Sequence, residues 1–549
     1  MLAASVGTVT LLGLAIRVAN FDQSLFGDEL STYWIVHDRS LGHVLSIVHS
    51  NDEITPPLSF ILGWLTLKLG GSPEWVRLPS LIAGTATIPL VYLIGVRTVG
   101  RFAGLLAAAV MALSPFMIYY SDEARAYALM MALVAGSTLA LLAAIRTGST
   151  RWWVVYALCS CGALYSHYTS VFPLAGQALW VLWKQRQALR ACVLANIGVL
   201  IGFAPWIPGF IADNNSPTTK LLSALQPFEF RPVRFALEQW SVGYPYVQLS
   251  KVPGKAAWML IAGGVLVALV AGCLRLGRIL RASRVSFAAS LRRIPAGAAL
   301  VAILALSTPV GEAILSALGT NLLGARSLNA SWPGLAVAIG GIVAAAGLPL
   351  SLACAALVVG GYAIGAVKAC GPDVSRPQYE AVAKTIEQRW KPGDVVVDGA
   401  SVIGPYHLTP VTPTGIDAYL PQTHPEVRLG LSNTEGPSFG TPRPPLQTQI
   451  QQAYRLARGH SLFLETYIAN PAVPAQAASY LRQQDLPAQR TAALRRYVEA
   501  IGGPGLVFSG SGFLLEELPP RFRVESNLQT FAGVSPLALI EITDRGAAR

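Results

Sequence analysis

Charged residues are scarce in this chain of 549 residues. They make up 13% of it, whereas soluble domains usually have about 25%. Hydrophobic residues make up 53%, and the mean hydropathy is +0.48. This composition excludes an ordinary soluble enzyme and indicates a polytopic α-helical membrane protein.

Cysteine is also rare, with six residues in the whole chain. Their spacing matches no zinc site, and five of them lie inside apolar runs, so we expect packing residues and no disulfide framework. The N-terminus lacks both a basic segment and a small-residue cleavage site. We therefore interpret residues 2–19 as a retained first span and not as a signal peptide.

Apolar runs near the length of a membrane-spanning helix, about 20 residues, recur along the first 370 residues. We predict about eleven spans: 2–19, 76–96, 102–120, 126–145, 152–167, 169–183, 191–210, 256–274, 295–318, 332–347 and 350–368. Another run, 56–70, is short and bounded by Pro and Gly. It predicts interfacial helical structure in the first outer loop.

Basic residues mark every second connection between these spans. Four connections, at 97–101, 146–151, 184–190 and 275–293, hold thirteen Arg and Lys residues and no Asp or Glu. Such loops face the cytoplasm. This accounts for the net charge of +12 without a nucleic-acid partner and predicts a multi-pass protein of the cytoplasmic (inner) membrane. Arg17, near the outer end of the first span, fits this pattern less well.

The composition changes after residue 370, where the chain becomes polar and Pro-rich. The segments 376–390 and 474–484 have helical periodicity, whereas "GDVVVDGAS" (393–401) and "SLFLETY" (461–467) indicate short buried strands. We predict a transmembrane catalytic domain at 1–370 and a small α/β domain at 371–549. An odd number of spans places the second domain outside the cytoplasm.

Ionisable residues stand out where the spans reach the outer side. Asp28 and Glu29 are adjacent in "FGDELSTY", and "YYSDEARAY" (119–127) is a short turn between two spans. The remaining candidates are His167 and Tyr168 in "YSHYTS", Arg326 in "ARSLNASWP", and, more weakly, Asn51-Asp52-Glu53. Each also has a structural interpretation, such as a solvated acid, a local ion pair or a helix anchor. Ionisable groups at membrane depth are usually functional, so we expect a site here.

This set of side chains fits group transfer from a phospholipid-like donor. Such a reaction needs a base for the acceptor hydroxyl, cations for the departing phosphate and a surface that aligns both substrates. A transporter would instead carry its charges in mid-span. The clear acid of that kind is Glu312, after Pro309, and it is the best sequence feature for a transporter or flippase.

The quoted motifs resemble the integral-membrane glycosyltransferases of the C superfamily. The most similar branches are the protein O-mannosyltransferases and the bacterial transferases of aminoarabinose to lipid A. "FGDELSTY" is similar to the first outer loop, and "TPPLSFILGW" to an element within it. The run from "RLPSLIAG" to "YYSDEARAYALMM" is the most specific stretch, and "SHYTSVF" and "ARSLNASWPGLA" resemble later elements. The resemblance covers residues 5–185 well and 320–368 loosely.

The resemblance implies inverting transfer of a sugar from a polyprenyl-phosphate donor to a glycan, lipid or protein acceptor outside the cytoplasm. It places the catalytic base at Asp28 and its motif partner at Glu29. The second-loop acid falls on Glu123 or Asp122, with Glu123 preferred because E-A-R-x-Y is the usual run.

The remaining predicted substrate-binding residues are Asp122, Arg125, Tyr127, His167, Tyr168 and Arg326. Some relatives carry a basic residue where this chain has Thr55, so the phosphate contact must come from elsewhere, with Arg125 and Arg326 as candidates. Metal use varies in the superfamily. Asp28, Glu123 and His167 would bind a divalent ion if they converged, but their spacing does not show a metal site. A non-catalytic scaffold with a wall-binding C-terminal domain is a further alternative.

Overall fold

The computed structural model describes residues 2–37, 39–49, 53–216, 219, 223, 228–283, 294–399, 415–421, 423–429, 444–469, 471–507 and 509–547. Asn51, Asp52 and Arg284, Arg292 and Arg293 of the fourth basic loop lie outside the described residues. The chain divides into two compact units. The helical unit comprises 1–21 and 35–371, and the sheet unit comprises 22–34 and 372–549.

Helices account for almost all of the regular structure up to residue 371. In chain order they are α1 (Leu2–Phe21), α2 (Asp28–Val36), α3 (Leu41–Val48), α4 (Leu58–Lys68), α5 (Leu78–Thr98), α6 (Arg101–Leu113), α7 (Pro115–Ser121), α8 (Tyr127–Thr147), α9 (Thr150–Ser166), α10 (Val171–Lys184), α11 (Leu189–Phe203), α12 (Ile207–Asn215), α13 (Phe230–Val242), α14 (Lys255–Ser283), α15 (Ala296–Ala317), α16 (Trp332–Ala345) and α17 (Leu350–Ala369). Short 3-10 turns precede α5, α10 and α16, at Pro73–Arg77, Tyr168–Ser170 and Ala325–Ser331.

Seven helical segments of the described chain are long and apolar enough to cross a membrane. They are Pro73–Thr98, Tyr127–Thr147, Arg186–Asn215, Ser250–Arg278, Ala296–Ala317, Ala325–Ala345 and Leu350–Ala369. Each overlaps a span predicted from the sequence. Two further apolar helices, Ser5–Phe21 and Leu58–Lys68, are shorter. A helical membrane protein with at least seven candidate spans is therefore confirmed, whereas the count of eleven and the interfacial placement of α4 stay predictions.

The predicted span 102–120 is broken and not straight. Helix α6 ends at Leu113, and α7 starts at Pro115 with a bend of 63° between the two helices. Pro115 cannot donate a backbone hydrogen bond to α6, and the Ser114 hydroxyl accepts one from the Met117 N–H at 3.4 Å as an N-cap. The bend gives α7 its own direction before the short turn at 122–126.

Large apolar side chains remain exposed on the outside of the helical unit. In α11, Leu194 is 69% and Ile201 is 70% exposed, and α14 exposes Leu266 and Leu274 to a similar degree. Contiguous apolar surface on this scale marks contact with a membrane or a partner. It explains why the apolar runs of the sequence do not all end in a packed core.

The sheet unit contains the predicted helices and strands of the C-terminal region. Its helices are α18 (Tyr379–Arg389), α19 (Leu446–Leu456), α20 (Pro474–Leu481), α21 (Arg490–Val507) and α22 (Gly510–Glu516), and its strands are β1 (Val395–Asp398), β2 (Glu426–Arg428), β3 (Ser461–Tyr467), β4 (Phe522–Val524), β5 (Gln529–Phe531) and β6 (Leu537–Asp544). Residues 22–34, with the start of α2, also belong to this unit.

The strands form one mixed sheet in the order β2-β1-β3-β6-β4, with β5 also paired to β6. Strand β1 runs parallel to both β2 and β3, and β6 runs antiparallel to its partners. Residues of β1 and β3 are buried on both faces, which explains their continuous apolar runs. Helix α18 covers one face through Tyr379, Val382 and Ile386, which recur at helical spacing.

We expect Gly84 of α5 to be necessary for the close approach of α7. A Cβ atom at this position would lie 2.1 Å from the Ser121 Oγ and 3.1 Å from its Cα. Gly84→Ala should therefore lower the free energy of unfolding in detergent by about 1–3 kcal/mol through overpacking. Gly360→Ala in α17, where a Cβ meets no atom within 4 Å, is the matched control. Equal stability of the two variants would contradict this account.

Candidate active site

The Asp-Glu pair lies at the start of α2. Gly27 precedes the helix with φ of +60°, a conformation that favours glycine, and Asp28 is the first helical residue. The Phe26 N–H donates a hydrogen bond of 3.3 Å to Glu29 Oε2, so the Glu29 side chain reaches back to cap the helix. A helix N-terminus also favours negatively charged side chains. This local geometry fixes the Glu29 carboxylate relative to the backbone.

The two acids have different environments. Glu29 is fully buried, and its Oε2 lies 3.4 Å from a guanidinium nitrogen of Arg376, which is 4% exposed. Asp28 is partly exposed. The sequence predicts catalytic roles for both residues, and the structure gives Glu29 a buried ion pair within the sheet unit. Arg376 was not predicted, because no local pattern links it to a motif almost 350 residues earlier.

In the helical unit, the turn after α7 buries two acids. Asp122 and Glu123 are 2% and 3% exposed. The Tyr119 hydroxyl donates to Glu123 Oε1 at 3.4 Å. Asp122 interacts electrostatically with Arg17 of α1, which is fully buried.

The Arg17 guanidinium also donates to three backbone carbonyls: Gly13 at 2.9 Å, Met111 at 3.1 Å and Ala112 at 3.2 Å. The charge that did not fit the loop pattern is therefore a buried structural group. Its contacts hold the end of α6 against α1 close to the acidic turn.

Arg125 is held by residues that precede α4. Its two terminal nitrogens donate to the Glu53 carboxylate at 3.2 and 3.3 Å, and one of them also donates to the Thr55 hydroxyl at 3.0 Å. Both members of the ion pair are nearly buried, with side chains 10% and 5% exposed. The Thr55 hydroxyl thus accepts a hydrogen bond from Arg125, at the position for which the sequence analysis noted a basic residue in some members of the superfamily. The weakly predicted Glu53 is its principal charged partner.

Five of the predicted residues belong to one neighbourhood that includes the buried Tyr120. Glu123, Tyr127 and Arg326 each interact electrostatically with Tyr120, as does Tyr246. The rings of Tyr127 and His167 lie 5.3 Å apart, and the charges of Arg125 and Arg326 act on His167. The structure therefore brings Glu123, Arg125, Tyr127, His167 and Arg326 together. We call this set with Tyr120 the Tyr120 cluster.

Tyr168 forms hydrogen bonds with residues outside the Tyr120 cluster. Its hydroxyl donates to Asp213 Oδ2 and accepts a hydrogen bond of 3.0 Å from the Trp206 indole. Asp213 is 2% exposed and lies at the end of α12. Sequence reasoning missed Asp213, although an acid in the apolar run "PWIPGFIADNN" was a usable signal.

The sheet unit contains buried carboxyl groups that the sequence did not suggest. Asp398 and Glu465 are opposite residues on the parallel strands β1 and β3, and both are buried. Burial, together with the negative charge of Asp398, Asp417 and Glu426, raises the pKa of Glu465 well above its usual value. Burial and these neighbouring acids therefore disfavour the charged form of this carboxyl group.

Within the described ranges, no group of three or more His, Cys, Asp and Glu side chains is arranged to hold a metal ion. Glu312 is a separate group in α15, where it is 1% exposed, and its Oε2 has no hydrogen-bond partner among the described residues.

Most of the Tyr120 cluster lies in a part of the chain that matches a known protein family. Residues 55–210 match the sequence profile of the dolichyl-phosphate-mannose-protein mannosyltransferase family. This confirms the resemblance to membrane glycosyltransferases of the C superfamily. The match covers just over a quarter of the chain and includes Glu123, Arg125 and His167, but not Asp28 or Arg326. No curated protein sequence matches the chain.

Several solved structures are similar to this chain, and two of them illustrate the range. Apo ArnT from Cupriavidus metallidurans is 13% identical, with 88% of this chain and 95% of that chain covered and a TM-score of 0.49. AglB from Archaeoglobus fulgidus, an archaeal oligosaccharyltransferase, is 11% identical, with 90% and 72% covered and a TM-score of 0.44.

We expect the Arg125–Glu53 pair to stabilise the helical unit. Arg125→Met leaves a buried carboxylate without its counter-charge and should lower the free energy of unfolding by about 3–5 kcal/mol. The double variant Arg125→Met/Glu53→Gln should recover part of this loss. Thermal unfolding in detergent, followed by intrinsic fluorescence, measures both effects.

Arg234→Met is the matched control, because Arg234 pairs with Glu238 on an exposed helix surface. That change should cost less than about 1 kcal/mol. If the two single variants were equally stable, the Arg125 pair would have no special structural role.

Proposed function

We propose that the protein is an inverting glycosyltransferase that moves a sugar from a polyprenyl-phosphate donor to a cell-envelope acceptor. The acceptor class is a glycan, a lipid or a protein. The enzyme works on the outer face of the cytoplasmic membrane, with residues 1–370 as the catalytic domain and 371–549 as an extracytoplasmic domain. The donor, the acceptor and the bilayer are its partners, and nucleic acid is not.

The observation that carries this proposal is the Tyr120 cluster. It gathers an acid, two arginines and a histidine at the ends of apolar helices, and all of these except Arg326 lie inside the range that matches the mannosyltransferase family. That family is named for a dolichyl-phosphate-mannose donor, which is a polyprenyl-phosphate sugar. Charges at helix ends suit a donor whose phosphate lies at the membrane surface and whose tail lies in the bilayer.

Asp28 is the proposed general base. It accepts the proton of the acceptor hydroxyl as that oxygen bonds to the anomeric carbon, while the bond from this carbon to the phosphate oxygen breaks. Attack from the side opposite the phosphate inverts the anomeric carbon. The partial exposure of Asp28 supports this role, because a base must meet its substrate. Glu29, in its buried ion pair, is assigned to holding the loop.

Arg326 is the proposed cation for the departing polyprenyl phosphate. It is half-buried, and its charge acts on both Tyr120 and His167. A guanidinium presents several N–H donors to phosphate oxygens and stabilises the charge that develops on them. Arg125, already bound to Glu53 and Thr55, serves mainly to position the second outer loop.

The remaining predicted residues shape the donor site in this proposal. Glu123 is the second-loop acid and accepts from Tyr119, while Asp122 is adjacent to it and interacts with Arg17. Tyr127 and His167 offer an aromatic surface for a sugar ring. Tyr168 orders the neighbouring wall through Asp213.

We expect Asp28→Asn to lower sugar transfer by about 10²–10⁴-fold, the usual contribution of a general base. Purified protein is incubated in membranes with a panel of radiolabelled polyprenyl-phosphate sugars, and the lipids, glycans and proteins that gain the sugar are counted. Asp22→Asn is the matched control, since Asp22 is an exposed acid of the same loop. Near-normal transfer by Asp28→Asn would show that the base is another group.

A transporter or flippase of lipid-linked glycans is the alternative function. The observation that favours it is Glu312, a buried acid in the candidate span Ala296–Ala317 whose Oε2 has no described hydrogen-bond partner. Intramembrane acids of this kind often bind coupling ions or protons. In the proposed transferase, however, Glu312 has no chemical role.

Glu312→Gln distinguishes the two functions. The amide keeps the shape and removes the ionisable group, so a transferase should retain its activity within about threefold, and a proton-coupled transporter should lose translocation. Transfer is measured with the labelled donors, and translocation is measured as protection of a fluorescent lipid-linked glycan in proteoliposomes. Translocation by the wild type that Glu312→Gln abolishes would favour the transporter.

A further inference from the structure

The loop that carries the Asp-Glu pair is bound to the sheet unit by successive residues. The Arg376 N–H donates to the Gln23 side-chain oxygen at 2.9 Å, and the Glu380 N–H donates to the Ser24 hydroxyl at 3.0 Å. The Leu25 N–H donates to the Tyr419 hydroxyl at 2.7 Å. These hydrogen bonds make the loop an integral part of the sheet unit.

Apolar packing supports the same attachment. Phe26 packs against the core under α18 that contains Tyr379 and Ile416, and Leu25 is fully buried. Burying an aromatic side chain of this size is strongly favourable and orders the backbone on either side of it. Residues 23–26 are thus fixed by hydrogen bonds and by packing immediately before α2 begins.

The Glu29–Arg376 pair fixes the first turn of α2 itself. Glu29 is fully buried, Arg376 is 4% exposed, and their charged atoms lie 3.4 Å apart. The same carboxylate caps the helix through the Phe26 N–H. Removing one partner of a buried pair takes the counter-charge from the other and is strongly destabilising, so we expect the remaining side chain to lose its fixed position.

Asp28 is the residue that this arrangement orients. Adjacent residues of a helix point about 100° apart, so a side chain at 29 that is held inward sets the direction of the side chain at 28. We propose that Arg376 is a positioning residue for sugar transfer: it holds Glu29 and thereby fixes the Asp28 carboxylate. This inference rests on the proposed function and assigns a role to the C-terminal region in that reaction.

The experiment compares Arg376→Met and Arg376→Lys with wild type in the full-length protein. Hydrogen exchange of the peptide 20–34 reports the order of the loop, and kcat and KM for a labelled polyprenyl-phosphate sugar report the chemistry. Arg376→Met should exchange at least about tenfold faster in this peptide. Its kcat should fall by about 100-fold with little change in KM, because a misplaced base affects the transition state and not donor binding.

Arg376→Lys keeps the positive charge. It should therefore restore part of the slow exchange of peptide 20–34 and part of kcat. Arg389→Met is the matched control. Arg389 pairs with Glu541 in the same unit, also at 3.4 Å, and this pair does not include any residue of 22–34. This variant should leave the exchange of peptide 20–34 and kcat near wild type. Elution as a single species in detergent establishes that each variant is folded.

Three results would overturn the inference. They are unchanged exchange of peptide 20–34 in Arg376→Met, faster exchange with a normal kcat, and equal effects of the Arg376 and Arg389 variants. A wild type that transfers no sugar from any donor would instead count against the proposed function, which separates the two failures.

Discussion

Charge buried among apolar helices must be compensated locally, and the helical unit depends on this constraint. The terminal nitrogens of Arg17 donate to backbone carbonyls and its charge interacts with Asp122, and Arg77, also fully buried, donates to the Phe21 carbonyl at 2.7 Å. Arg125 is satisfied by Glu53 and Thr55. Most of these contacts join segments far apart in the chain, so the interactions that compensate the buried charges also assemble the candidate site.

The sheet unit uses the same principle for a different purpose. Its Glu29–Arg376 pair joins an early loop to a late domain, while burial and neighbouring negative charge raise the pKa of Glu465 in the sheet. The first arrangement gives a buried carboxylate a counter-charge, and the second disfavours the charged form of a buried carboxyl group. Adjacent acids in one motif can therefore have separate functions, because burial and pairing differ between Asp28 and Glu29.

Local patterns in the sequence predicted much of the architecture. Apolar length located the seven candidate spans, and alternation and periodicity located β1, β3 and α18. The motif residues Glu123, Tyr127, His167 and Arg326 do meet around Tyr120. The pairing of Glu29 with Arg376 could not be predicted, because the two residues are almost 350 positions apart and no motif links them. Arg17 and Asp213 are visible as ionisable residues in apolar runs, but the sequence does not show which groups they contact. Pro115 indicates a helix break in the sequence, but the apolar run continues through it and predicts a single span.

The contacts of residues 23–25 with Arg376, Glu380 and Tyr419 span 353 to 394 positions of the chain. During synthesis at about 5–20 residues per second, the early loop waits tens of seconds before its binding surface exists. Until then the Asp-Glu motif has none of these stabilising contacts. The ribosome must therefore complete most of the protein before the loop can acquire its final geometry, which delays the ordering of the Asp-Glu motif until the C-terminal region has folded.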